Sequence, residues 1–160
     1  MSQNVRRFHC PPEAVFDVLA DGWLYPAWVV GASRMRAVDV DWPAEGSRLH
    51  HSMGAWPLVL DDVTSSTAWE LPGRAAFRAR GWPIGEADVV IEVRPSGDGC
   101  LVRITERPAE GPGRYVPPLV REPLLRMRNR ETLRRLSHLA EGRWRAPAPD
   151  AVASSGAGAT

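Results

Sequence analysis

LVREPLLRMRNRETLRRLSHLAE, residues 119–141, is the stretch on which the fold turns. Leu125, Leu133, Leu136, Leu139 and Ala140 form one stripe along it, while Arg126, Arg130, Arg134 and Arg135 lie mostly outside that stripe. This spacing predicts a helix, and about 20 residues of helix span about 30 Å. A helix of that length covers a whole sheet, and a curved antiparallel sheet with one apolar face needs such a cover.

The segments upstream of residue 108 supply that sheet. EADVVIEVR, residues 86–94, alternates with Ala87, Val89, Ile91 and Val93 facing one way, and only Val90 spoils the polar side. Cys100–Arg107 places Val102, Ile104 and Glu106 on one face and Leu101, Arg103 and Thr105 on the other. From Ser33 onward, turn signals (WPAEG, GAWP, ELPG, GWPIG, PSGDG) separate short period-two runs, which predicts successive hairpins and an antiparallel sheet with one wet face. Before these lie a first strand over Asn4–Cys10 and a helix in PPEAVFDVLAD with Val15, Phe16 and Leu19 on one face. A shorter helix follows in WLYPAWVVGA, with Pro26 near its start and Gly31 at its end.

Composition narrows the class. The chain has 160 residues, 44% hydrophobic and 24% charged, which fits one globular domain. Its 20 basic residues are all arginine and nearly cancel 19 acidic ones, so the net charge of +1 points to no nucleic-acid partner. No apolar run reaches the roughly 18 residues that cross a bilayer, and MSQNVRRFHC has no signal-peptide core, so a cytoplasmic protein without a membrane span is expected. In that reducing compartment Cys10 and Cys100 are expected as buried free thiols. The Ala, Pro, Gly and Ser of residues 144–160 cannot bury enough surface to offset their ordering, which predicts a flexible tail after a domain of residues 1–143.

The order strand, two short helices, about six further strands and a long C-terminal helix is that of the helix-grip α+β fold. VFDVLADGWLYPAWVVGASRMRAVD, WPAEGSRLHHSMGAWPLVL and EPLLRMRNRETLRRLSHLAE resemble the polyketide cyclase/dehydrase-like branch of the SRPBCC (START/Bet v1-like) superfamily, in actinobacterial form. The resemblance implies about seven curved antiparallel strands around the last helix, enclosing a cavity for a hydrophobic or aromatic small molecule. It implies either a cofactor-independent cyclase, aromatase or dehydratase, or a carrier or sensor of a lipid or aromatic metabolite; fold alone does not choose between them.

The residues themselves nominate a site. Glu106 shares a face with Val102 and Ile104, where a carboxylate must be paired or protonated; it is a candidate acid or base, or the partner of an arginine at the rim. His50 and His51 are adjacent on a strand, so one faces in and one out, and His51 shares the inner face with Leu49 and Met53. An inward imidazole shuttles a proton or simply lines the wall. Asn129 and Thr132 interrupt the stripe of the last helix and need partners, from a ligand, from the sheet or from each other. Trp23, Tyr25 and Trp28 form the densest aromatic cluster, able to stack on a flat ligand or to plug the core, while Trp56 and Trp82 sit in Trp-Pro turns.

The candidate site is therefore His51 and Glu106 as the acid/base pair, with Trp23, Tyr25, Trp28, Met53, Asn129 and Thr132 around the substrate. No metal or cofactor is expected, since neighbouring strand histidines point apart and His9 and His138 lack ligand spacing. Phosphate-loop, GxSxG, CxxC and HExxH patterns are absent from the sequence. A homodimer is left open.

Overall fold

The computed structural model describes residues 2–81, 85–111 and 117–145. In chain order the elements are β1 (Ser2–Phe8), α1 (Pro12–Ala20), a single 3-10 turn (Gly22–Leu24), α2 (Tyr25–Trp28) and β2 (Ala32–Val38). Then follow β3 (Arg48–Ala55), β4 (Leu58–Glu70), β5 (Arg74–Gly81), β6 (Gly85–Ser96), β7 (Gly99–Glu110) and α3 (Pro118–Arg145). One seven-stranded sheet runs in the order β1-β7-β6-β5-β4-β3-β2, antiparallel throughout. Register shifts in β2, β4 and β7 mark bulges, which bend and twist strands. α3 packs against β1, α1, α2 and β7, so the sheet holds the helix along its inner face as the helix-grip reading requires.

Two boundaries differ from those read in the sequence. β1 lies over Ser2–Phe8, not Asn4–Cys10, because the His9 N–H donates to Glu141 on α3 at 2.9 Å and Pro11–Pro12 offer no N–H to continue a ladder. α3 runs to Arg145, past the expected domain end: Arg143 pairs with Asp21 at 2.6 Å, and cations are favoured at a helix C-terminus. The remainder of the proposed tail and Trp82 lie outside the described residues.

The alternation patterns hold. In β6 and β7, Ile91, Val93, Val102, Ile104 and Glu106 are all buried on the inner face. α3 buries Leu133, Leu136 and Ala140 in the same core, and α1 adds Val15, Phe16, Val18 and Leu19. Aromatic rings add to this core: Phe16 meets Trp69 edge-on at 5.1 Å and Trp42 stacks on Phe77 at 5.6 Å, with the Trp42 indole N–H donating to the Leu19 carbonyl at 3.2 Å. Cys10 and Cys100 are buried here as free thiols, and burial pushes the Cys100 thiol up to about 12.

Most of these residues gather at one end of the sheet, where β1 ends and β7 begins, while Glu106 and Phe77, joined through Val89 in the register, lie toward the other. The opposite end is different. There the inner face carries Ser2, His51, Asp62, Thr64 and Glu106, all buried, under the middle of α3 with its buried Asn129 and Thr132. A Cβ on Gly22 would stand 2.6 Å from Leu49 Cδ2, so only glycine lets the turn press onto the sheet and lower Tyr25 toward His51.

Candidate functional site

β3 delivers its histidines as alternation requires. Leu49 and His51 are buried with Met53 partly so, while His50 turns outward and pairs through Nε2 with Asp39 Oδ1 at 3.1 Å. His51 Nε2 lies 3.0 Å from Thr64 Oγ1, and the same hydroxyl lies 2.9 Å from the Tyr25 hydroxyl. The Tyr25 and His51 rings are 4.8 Å apart, and Trp28 closes on Tyr25 edge-on at 5.4 Å. The result is a buried chain of three side chains, Tyr25–Thr64–His51.

Burial fixes the protonation of this chain. It pushes His51 down to about 4, helped by the positive charge of Arg36 and by His50, so the imidazole is neutral near pH 7. It pushes Tyr25 up to about 12, partly offset by the Thr64 bond and by Arg128, so the phenol keeps its proton. The charges of Arg128, Asp62 and Glu106 all act on the phenol, the first lowering and the other two raising its pKa.

On that far side Glu106 is buried on β7 and forms an ion pair with Arg128 of α3. Its Oε2 has no hydrogen-bond partner among the described residues. His51 and Glu106 are joined by neither a hydrogen bond nor an ion pair; each has its own partner, Thr64 and Arg128. Asn129 is buried and its Nδ2, like the buried His51 Nδ1, has no partner among the described residues. Thr132 is already used: its hydroxyl accepts from the Val30 N–H at 3.4 Å, tying the end of α2 to α3.

The aromatic cluster divides. Tyr25 and Trp28 are buried and belong to the site, whereas Trp23 is 62% exposed and Trp56 90% exposed. Met53 sits at the edge, its Cε against Gly31. Sequence reasoning missed Asp62, Thr64 and Arg128. Asp62 is buried directly across from His51 in the β3–β4 register, and its Oδ1 accepts from the Val63 N–H at 2.8 Å. Alternation of Leu60, Asp62, Thr64 and Ser66 is the signal that would have found the first two.

A groove of about 530 Å³ crosses the outer face of β4–β7 and does not compete as the site. Its lining mixes charged side chains, Arg78 paired with Asp88 at 2.9 Å among them, with Ala76, Val90 and Thr105. Among the described residues no three of His, Cys, Asp or Glu are grouped as a metal would need, and no helix is long and apolar enough to cross a membrane.

Comparison with solved structures returns the same architecture. Protein NE0264 from Nitrosomonas europaea superposes with a TM-score of 0.68 at 18% identity, covering 88% of this chain and 94% of that one. Ara h 8.0201 gives 0.66 at 10% identity, with 88% and 96% covered. The di-domain ARO/CYC StfQ from the steffimycin biosynthetic pathway gives 0.66 at 10%, covering 88% of this chain and 50% of that one. At such identities the likeness is one of fold, the Bet v1-like helix grip. No curated protein matches the chain. The family model described as polyketide cyclase / dehydrase and lipid transport matches residues 2–141, nearly the whole described domain. The chain therefore belongs to the polyketide cyclase / dehydrase and lipid transport family of the SRPBCC superfamily.

Proposed function

We propose that the chain binds a hydrophobic, ring-bearing small molecule between the inner face of the sheet and the middle of α3. The observation that carries this reading is a set of four buried polar atoms without partners among the described residues, His51 Nδ1, Glu106 Oε2, Asn129 Nδ2 and Ser2 Oγ, in the half of the interior away from α1. Each such atom costs about 1–3 kcal/mol when left unmet, and a ligand's polar groups are one means of meeting it. The aromatic walls Tyr25 and Trp28 suit a flat body, and the family's range from cyclases to lipid transport agrees with an apolar ligand.

Within that reading the chain works as a cofactor-independent cyclase or dehydratase, with His51 and Glu106 as the groups that exchange protons with the substrate. A neutral buried imidazole supports it, since His51 can bond to a reacting oxygen without bringing charge into the interior. A carrier is the second reading, favoured by the separate commitments of Glu106 to Arg128 and His51 to Thr64. Native mass spectrometry of the protein from its own host, with organic extraction of what co-purifies, tests binding. A retained apolar molecule lost in Asn129→Leu supports the site, and turnover of that molecule abolished in His51→Gln separates enzyme from carrier. No retained molecule, and no tryptophan quenching by flat or acyl compounds, refutes it.

A further inference from the structure

The chain Tyr25–Thr64–His51 has a direction, and hydrogen counting determines it. Thr64 owns one hydroxyl hydrogen and stands within bonding distance of two neighbours, at 2.9 Å and 3.0 Å. Neither Tyr25 nor Thr64 makes another side-chain hydrogen bond among the described residues. If Tyr25 donates to Thr64 and Thr64 donates to His51 Nε2, every hydroxyl hydrogen is used. The imidazole proton then resides on Nδ1, leaving one unmet group, the Nδ1–H donor.

The reverse arrangement is worse. If Nε2–H donates to Thr64 and Thr64 donates to Tyr25, the phenol hydrogen has no acceptor and Nδ1 is a second unmet group. If Thr64 accepts from both sides, its own hydrogen is stranded and Nδ1 again lacks a donor. Both alternatives bury two unmet groups where the first buries one, and each costs about 1–3 kcal/mol.

We propose that Thr64 and Tyr25 are positioning residues that hold His51 as its Nδ1–H tautomer, so that His51 presents a hydrogen-bond donor to an acceptor oxygen on the ligand. Two buried donors, His51 Nδ1–H and the Asn129 amide, then ask for carbonyl oxygens. The ligand class this selects is an apolar molecule bearing a ketone, quinone or ester carbonyl. The tautomer is a property of the chain alone, and only the ligand class rests on the proposed function.

Long-range proton–nitrogen NMR of histidine-labelled protein reads the tautomer directly, because protonated and bare ring nitrogens differ widely in shift; His51→Gln assigns the signals. The expected result is a protonated Nδ1 and a bare Nε2 in the native chain, retained in Thr64→Ser. In Thr64→Val the proton moves to Nε2, and in Tyr25→Phe it moves partly, with an unchanged backbone spectrum verifying the fold in each. A native His51 protonated on Nε2, or a Thr64→Val protein that keeps Nδ1–H, overturns the proposal.

The ligand class is tested with 2-acetylnaphthalene against 2-ethylnaphthalene by fluorescence titration. A preference of about three- to tenfold for the ketone is expected from one added hydrogen bond, and it should vanish in Thr64→Val. Equal affinities refute the carbonyl assignment while leaving interior binding intact, and failure of both probes refutes interior binding while leaving the tautomer intact.

Discussion

The two ends of this interior are built from the same seven strands and the same helix, yet they obey different rules. At the end closed by α1 the inner face is Phe8, Ile91, Val93 and Val102 against Leu133, Leu136 and Ala140, with its indole donor at Trp42 satisfied. At the other end the inner face is Ser2, His51, Asp62, Thr64 and Glu106 against Asn129 and Thr132, with four buried polar atoms unpartnered among the described residues. The first arrangement is what folding alone favours. The second is costly to a fold and useful to a binding site, and on that difference the proposed ligand site rests.

Substitutions at the two ends should therefore have opposite consequences. The largest effect is expected at the apolar end, where Leu136→Ala removes a fully buried side chain and should cost about 2–5 kcal/mol in urea unfolding without altering the specificity of binding. Acidification should come next. His51 titrates near 6.5 unfolded and about 4 folded, so between those values the unfolded chain binds the extra proton. Stability is then complete above pH 6.5 and falls as pH drops toward 4, at about 1.4 kcal/mol for each unit of the difference. His51→Gln should flatten that part of the pH–stability curve, and an unchanged slope would mean His51 is not buried as described.

Glu106→Gln tests the ion pair. Arg128 is partly exposed and can turn to water, so the loss should be about 1–3 kcal/mol, below that of a pair buried on both sides. The smallest effect has the opposite sign. Asn129→Leu removes an unmet buried donor from a helix stripe and should raise stability by about 1 kcal/mol while weakening ligand binding. A destabilised Asn129→Leu would erase the contrast between the two ends.

Much of this was legible beforehand. Period two in residues 86–94 and 100–107 and the stripe of residues 119–141 are local signals, and they were enough for the sheet, its covering helix and the inward faces of His51 and Glu106. Partnership was not legible, because it depends on register. Asp61 and Asp62 are adjacent, and only the pairing of Asp62 with His51 across β3 and β4 reveals which one matters. Thr64 reads as an ordinary strand residue until Tyr25 is lowered onto it from α2. Arg128 lies beside Asn129 on α3, and its claim on Glu106 follows from how the helix crosses β7. Trp23 shows the converse: its place in an aromatic cluster suggested a wall, but the 3-10 turn faces it to water.

The most direct test of the division is a backbone NMR titration of the chain with 2-acetylnaphthalene. The account predicts shift changes concentrated at Tyr25, His51, Thr64, Glu106 and Asn129, with Phe16, Val93 and Leu136 nearly still. Changes centred on the α1 end or on the outer face of the sheet, with the Tyr25–Thr64–His51 chain unmoved, would contradict it.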